Sequence, residues 1–416
     1  MIRAVKGTRD LLPPTTSVWN HVEEVARRVF RSYNYQEIRT PIFEETQLFA
    51  RGVGEETDIV TKEMYTFDDR DGSSLTLRPE NTASVIRAYI EHRLDQQPGV
   101  QKLYYMGPMF RRERPQKGRY RQFYQIGAEA IGSDSPVIDA EVIEMVVGVL
   151  QQAGIGGFEV LINSVGCSDC RPKFVEKLRE ELAGVASQMC GDCQRRAVTN
   201  PLRVLDCKVE ADQPIIEKLP SILDYLCEVC APHFANVRQY LTDRGIDYEV
   251  RPRLVRGLDY YMRTTFEVVH GALGAQNSVL GGGRYDGLAE ALGSKVHSPG
   301  IGFSIGEDRL VMAVEDAKPG AFHHTLDLFI APLGDAAIRH AGVLARDLRR
   351  DGLSVEVTAA GKLKRAMEIA NKTGARYTLI LGDNEIAAGV YALKNMKSGE
   401  QVNAGRSELA SKIQEN

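Results

Sequence analysis

Apolar positions define the first elements. Val18, Val22, Val25, Ala26, Val29 and Phe30 recur at helical spacing between residues 17 and 32, which predicts an amphipathic helix. Thr16, behind Pro13-Pro14, is a residue type suited to cap its start. Residues 35–42 then read as a short strand in which Pro41 forbids a continuing central ladder, so this run belongs at an edge or an interface. Residues 75–79 and 103–106 run apolar or alternate as strands do, and helical spacing resumes over 139–150. Strands close in sequence and separated by hairpin-like connections predict an α+β arrangement, an antiparallel sheet with helices packed on it.

From 167 to 248 the pattern changes to charged helical stretches, such as 171–183 and 221–245, and all seven cysteines fall in this span. It reads as an inserted, mostly helical domain. Strand and glycine texture returns over 249–314, and Lys318-Pro319-Gly320-Ala321 has the composition of a linker. Beyond it, apolar strands at 326–331, 354–358 and 377–381 alternate with helical stretches at 336–350 and 362–373. That rhythm predicts a small α/β domain with a mainly parallel sheet. The expected division is therefore a split core (1–166 and 249–317), an insertion (167–248), a linker (318–321) and a C-terminal domain (322–416).

Composition changes this picture only in part. At 416 residues, 43% hydrophobic and 26% charged, the chain resembles ordinary globular proteins and departs from disordered or fibrous ones. No apolar run approaches the ~20 residues a bilayer span needs. The start at Met1 lacks the apolar segment of a secretory signal, so the expected location is the cytoplasm. A net charge of −4 excludes coating of nucleic acid by bulk charge, but not a local basic patch. Six of the seven cysteines form Cys-x-x-Cys pairs, which in a reducing compartment points to metal ligation or buried thiols rather than disulfides.

The densest chemistry lies in Gly107–Glu129. Six cations and one acid, Glu113, fall between Arg111 and Arg121. A solvated charged hairpin is the plain reading of such a run. Here apolar flanks place Arg111 and Gln125 at the ends of two strands joined by a loop containing Gly118. Guanidinium groups so held can grip phosphate bidentately, and Phe123 can stack on a base. A second cluster spans Leu254–Glu267. Arg256 lies between an apolar run and a glycine, a costly place for a cation without an anion. Asp259 is one candidate partner and a substrate phosphate the other, while Tyr260 and Tyr261 offer hydroxyls to a polar ligand.

Gly281-Gly282-Gly283-Arg284-Tyr285-Asp286-Gly287 permits close backbone approach to a ligand, although a turn explains it equally well. It is neither a Walker loop nor a dinucleotide fingerprint. Residues 300–310 read as a strand running into a helix that carries Arg309 near its start. Arg78-Pro79-Glu80-Asn81-Thr82 ends a strand with a carboxylate and a hydroxyl, which suits a ligand ammonium, with Asn81 a candidate helix cap.

These segments, in this order, resemble the three signature motifs of class II aminoacyl-tRNA synthetases. Residues 254–261 and 281–287 are similar to the two histidine-specific signatures of the histidyl-tRNA synthetase family, bacterial type. The likeness covers essentially the whole chain, including Val5-Lys6-Gly7-Thr8-Arg9-Asp10 and Asn200-Pro201-Leu202-Arg203-Val204-Leu205-Asp206. It implies activation of L-histidine by ATP, with Mg²⁺ on the β- and γ-phosphates, then transfer to the 3′-terminal adenosine of a histidine tRNA bearing an extra 5′ guanosine. It also implies a homodimer built on the strand carrying Pro41, an anticodon-binding C-terminal domain and no membrane partner.

By the same resemblance Arg111, Arg256 and Arg309 are the catalytic arginines. Arg111 and Arg256 hold the ATP α-phosphate, and Arg309 lies on one face of the adenine near the γ-phosphate. Glu113 reads the adenine amino group and Phe123 stacks on its other face. Glu80, Thr82 and Gln125 bind the amino acid's backbone groups, while Glu129 and Tyr261, with Tyr260 beside them, meet the imidazole. Asn81 departs from the glycine of many relatives. The cysteines Cys167, Cys170, Cys190, Cys193, Cys207, Cys227 and Cys230 belong to a subset of such enzymes. Zinc and free thiols both fit them, since seven overfill one four-ligand site.

Two rivals share the fold. A regulatory subunit of ATP phosphoribosyltransferase typically lacks the C-terminal domain and loses motif arginines, whereas Arg111, Arg256, Arg309 and residues 326–416 are all present here. An accessory nucleic-acid-binding module would keep the C-terminal domain and lose the ATP site.

Overall fold

A computed structural model describes residues 2–55, 57–116, 118–271, 278–322, 325–358 and 362–415. Met1 and Lys117 lie outside the described residues. The chain divides into two compact units, Met1–Phe322 and His323–Asn416. Among the described residues no helix is long and apolar enough to cross a membrane.

Among its described residues the first unit contains eleven strands: β1 Gln36–Glu37, β2 Phe43–Glu45, β3 Tyr65–Asp68, β4 Ser74–Leu77, β5 Gln101–Phe110, β6 Gln122–Ile131, β7 Phe158–Ser164, β8 Glu249–Val250, β9 Met262–His270, β10 Ser278–Arg284 and β11 Gly300–Gly306. Eight of them form one sheet in the order β1-β5-β6-β11-β10-β9-β7-β8, and β2-β4-β3 form a small second sheet. Every pairing from β5 through to β7 is antiparallel, while the short edge strands β1 and β8 pair in parallel. The antiparallel α+β expectation therefore describes the body of the sheet.

Period-2 alternation gives the sheet two different faces. Ile126, Ala128 and Ala130 of β6, Ile301, Phe303 and Ile305 of β11, and Phe266 and Val268 of β9 pack into the main core. That core is completed by the helices Thr15–Ser32, Pro136–Ala153, Cys230–Asp243 and Glu307–Ala317. The alternate residues, Phe123, Gln125 and Glu129 of β6, Gly302 and Ser304 of β11 and Glu267 of β9, face the other way. This second face carries the chemistry.

Several local expectations need correction. The first helix begins at Thr15 with Pro14 in the cap position and no side-chain cap, so Thr16 lies inside the first turn. Pro14 already has helical dihedrals, φ −85° and ψ −8°, and starts the turn one step early. The predicted strand at 35–42 is reduced to Gln36–Glu37, and Pro41 falls between β1 and β2. Gln125 is the fourth residue of β6 rather than a strand end.

The segment expected to be an insertion leaves the sheet after β7 and returns at β8, within the first compact unit. Phe174, Leu178, Leu182, Val204, Ile216 and Ile222 give it a core of its own, while Phe234, Val237 and Leu241 of its last helix join the main core. The expected helix over 221–245 is a 3₁₀ turn, Ile222–Tyr225, followed by the helix Cys230–Asp243.

The second unit holds β12 Leu328–Pro332, β13 Val355–Val357, β14 Tyr377–Leu381, β15 Val390–Asn395 and β16 Gln401–Gly405, in the order β13-β12-β14-β15-β16. Its first three strands pair in parallel, but β14-β15-β16 are antiparallel. The sheet is mixed, not mainly parallel. The hairpin β15-β16 closes through Gly399 at φ +79°, and its polar exposed residues hide the strand pattern in the sequence.

Candidate active site

The second face of the large sheet floors an open cleft of about 440 Å³. Arg111 follows β5 directly. Its Nε donates to the Pro79 carbonyl at 2.9 Å, and its guanidinium lies 5.3 Å from the Phe123 ring centre. Glu113 accepts from Arg119 Nη1 at 2.9 Å and stands 4.0 Å from Arg111 Nη1. The segment 111–121 is braced from outside. Arg121 N donates to Gly7 O at 2.7 Å, and Arg9 binds both the Tyr120 hydroxyl and the Asp308 carboxylate. The opening Gly7–Arg9 strap therefore holds the basic loop against the sheet.

Arg256 stands on the opposite wall. Its Nη1 donates to Glu267 Oε2 at 3.2 Å, so its protein anion is Glu267 and not Asp259. Asp259 packs instead against Gly54, where an added Cβ would stand 2.6 Å from its Oδ2. Arg256 Nε, buried, has no hydrogen-bond partner among the described residues. Gly281, across the sheet from Glu267, makes room for this arginine: a Cβ there would stand 2.0 Å from Arg256 Nη2. The space that Gly281 leaves is therefore taken by a protein side chain, Arg256, rather than left to a ligand. Arg284 points away, fully buried and paired with Asp139 at 2.8 Å and Asp286 at 2.7 Å.

Arg309 lies in the first turn of the helix Glu307–Ala317, as its strand-to-helix reading predicts, and donates to Ser278 O at 2.6 Å. Burial, then the nearby Arg119, lowers its pKa. An anion between these cations would relieve both.

At the deep end, Glu80 accepts from Thr82 N at 2.7 Å and Ala83 N at 3.0 Å, capping the helix Thr82–Glu91. Asn81 does not serve as the side-chain cap. Its Oδ1 accepts from Thr40 Oγ1 and Arg78 Nη1 instead, because Arg78 is buried and spends its donors on Thr40, Pro41, Asn81 and Pro108. Thr82 Oγ1 then donates to Glu129 Oε1 at 2.8 Å, and Tyr285 donates to Glu129 Oε2 at 2.7 Å. Glu129 has no exposed surface, and burial pushes its carboxyl up to about 8.

Of the residues singled out in the sequence, Glu80, Thr82, Arg111, Glu113, Phe123, Gln125, Arg256, Tyr260, Tyr261 and Arg309 all line this cleft. Glu129 does not. It lies one layer behind Thr82 and Tyr105, whose hydroxyls donate to it. The sequence reading missed Ser304, Glu267, Asp206 and Lys208 on the wall. Register would have found Ser304, since its neighbour Gly306 pairs with Gln125 and alternation puts both on the Gln125 face. Among the described residues Gln125 Oε1 and Ser304 Oγ are buried there without a hydrogen-bond partner.

An antiparallel sheet whose arginines come from a strand end, a loop and a helix start, with a separate α/β unit C-terminal to it, has the architecture of a class II aminoacyl-tRNA synthetase. The sequence pattern described as Histidyl-tRNA synthetase matches residues 7–310, and that of an Anticodon binding domain matches 327–416. A histidine–tRNA ligase of Solibacter usitatus is 78% identical over 99% of both chains. One of Koribacter versatilis is 59% identical over 99% of this chain and 95% of its own. The apo histidyl-tRNA synthetase of Staphylococcus aureus superposes with a TM-score of 0.82 at 39% identity, covering 99% of this chain and 100% of that one. The chain belongs to the histidyl-tRNA synthetase family. A Bacillus halodurans protein titled as a phosphoribosyltransferase regulatory subunit/histidyl-tRNA synthetase shares the fold at 21% identity and a TM-score of 0.68. That likeness gives the regulatory alternative no support.

Proposed function

We propose that the protein is a cytoplasmic histidine–tRNA ligase that works as a homodimer, with a split class II core, a helical insertion and an anticodon-binding C-terminal domain. One observation carries the catalytic reading: three guanidiniums, from Arg111, Arg256 and Arg309, converge on one cleft whose floor holds unpartnered buried polar atoms. In this reading the histidine carboxylate attacks the α-phosphorus of ATP, pyrophosphate leaves, and the tRNA 3′-terminal hydroxyl then attacks the acyl carbon and releases AMP.

Positioning and cationic stabilisation account for the chemistry, since charge builds on phosphoryl oxygens and no side-chain nucleophile is needed. Arg111 and Arg256 grip the α-phosphate from opposite walls. Phe123 and Arg309 take the two faces of the adenine, and Glu113 its amino group. Glu80, Thr82 and Gln125 receive the amino acid's ammonium and carboxylate, with Tyr260 and Tyr261 around the imidazole and Glu129 acting from behind Thr82. A site that hydrogen-bonds both ring nitrogens strongly rejects analogues lacking them. The carboxylates of Glu267 and Asp206 on the wall are hard oxygen donors suited to Mg²⁺, which when bound neutralises the β- and γ-phosphates.

Exposed Ile42 and Phe43, beside Pro41, and Phe67 in the adjoining small sheet support a dimer contact there. The insertion's cysteines, all free and mostly buried, support structural zinc. Histidine-dependent ATP–pyrophosphate exchange tests the reading. Activity is expected in the purified protein and should fall by roughly 10²-fold or more in Arg256→Ala, the scale seen when a transition-state donor is removed. Absence of exchange in folded protein would sink the proposal.

A further inference from the structure

The insertion's cysteines sort into two sets rather than one. Cys167, Cys170, Cys227 and Cys230 bring four Sγ atoms together, while Cys190, Cys193 and Cys207 bring three and Asp212 adds a carboxylate oxygen. Within each set all ligand atoms lie within 4.8 Å of one another. Cys167 Sγ stands 3.7 Å from both Cys170 Sγ and Cys227 Sγ, and Cys190 Sγ stands 3.9 Å from Cys207 Sγ. A disulfide needs about 2.05 Å. Sulfurs around a tetrahedral zinc with Zn–S bonds of about 2.3 Å lie about 3.8 Å apart.

Surrounding groups point the same way. Cys167 N donates to Cys170 Sγ at 3.1 Å, Asp169 N to Cys167 Sγ at 3.4 Å and Val209 N to Cys207 Sγ at 3.4 Å. Such donors support thiolate ligands from outside the metal. Asp212 is 2% exposed. Its oxygens accept from Cys190 N at 3.1 and 3.2 Å and from Cys207 Sγ at 3.3 Å, and among the described residues no lysine or arginine pairs with it. A metal ion beside three thiolates supplies the missing charge.

The two sets hold different parts of the chain. The first joins the exit from β7 to the start of the helix Cys230–Asp243, the last helix before the chain returns at β8. The second holds Cys207, whose neighbours Asp206 and Lys208 line the active-site cleft. Arg203, in the same turn, donates to Arg256 O at 3.3 Å.

We infer that the insertion carries two zinc ions, one on Cys167, Cys170, Cys227 and Cys230 and one on Cys190, Cys193, Cys207 and Asp212, and that the second ion positions Asp206 and Lys208 at the cleft. This deepens the zinc reading above and rests on it. The test is elemental analysis of the full chain purified without a metal-binding tag or chelator. Two zinc per chain are expected, falling to one in Asp212→Ala and to one in Cys170→Ser. One zinc in the wild type overturns the second site and leaves the zinc reading standing; less than half an equivalent overturns both. Two equivalents that Asp212→Ala fails to lower overturn Asp212 as a ligand. Cobalt-substituted wild type needs no variant: two distinguishable tetrahedral absorption sets support the pair of sites, and a single set overturns it. For the positioning role, Asp212→Ala should raise the KM for ATP by at least about threefold with the KM for histidine unchanged, a split that general destabilisation would not give. Equal changes in both overturn that role.

Discussion

Glu129 shows how burial sets the chemistry of a single group. Its carboxyl accepts hydrogen bonds from Thr82, Tyr105 and Tyr285, yet desolvation outweighs these donors and raises its pKa from 4.5 to about 8. The unfolded chain releases this proton near the ordinary value, while the folded protein keeps it until the pH passes about 8. The resulting stabilisation is therefore fully present below about 4.5 and is lost as the pH rises through about 8. Glu129→Gln, which cannot ionise, should gain in melting temperature relative to the wild type as the pH goes from about 5 to 9. A constant difference across that range would show that Glu129 does not titrate there. The same variant should lower kcat/KM for histidine, measured by exchange at fixed ATP, if Glu129 acts on the bound imidazole through Thr82.

At the scale of strands, β10 and β11 work by leaving side chains out. Gly281 makes room for Arg256, and Gly302 for Glu129, whose Oε2 would stand 1.7 Å from a Cβ. Gly281→Ala should push the guanidinium off Glu267 and cut exchange to nearly the level of Arg256→Ala, with circular dichroism unchanged. Retained exchange would mean that Arg256 works from another position.

Arg256 was legible in the sequence because a cation set between an apolar run and a glycine calls for an anion, while Arg111 and Arg309 were legible from their places at a strand end and a helix start. Their protein partners were less so. Glu267 meets Arg256 only through the pairing of β9 with β10, a register that no local pattern announces. Asp212 escaped for the same reason, since it lies outside every Cys-x-x-Cys spacing and joins its cysteines only once the chain has folded. Asn81 misled in the opposite direction. Its sequence position suits a cap, but buried Arg78 claims its oxygen and leaves the helix start to Glu80.

On the scale of the whole chain, the two units have separate cores, with the α/β unit closing its own around Leu328, Ile330, Leu344, Leu379 and Leu393. All the cleft residues belong to the first unit. This placement predicts that amino acid activation needs nothing from residues 323–416 and that recognition of a tRNA away from its acceptor end does. A chain ending at Phe322 should keep histidine-dependent ATP–pyrophosphate exchange within about an order of magnitude while losing more in tRNA charging, chiefly through a raised KM for tRNA. Exchange and charging should be measured on the same preparation, with the melting curve as a check on folding. If exchange were lost from a cooperatively folded fragment, the α/β unit would have to act on the cleft itself. If charging were untouched, the basic segment 111–121 and the insertion would supply all the tRNA affinity, and the salt dependence of that affinity would be set by their arginines and lysines alone.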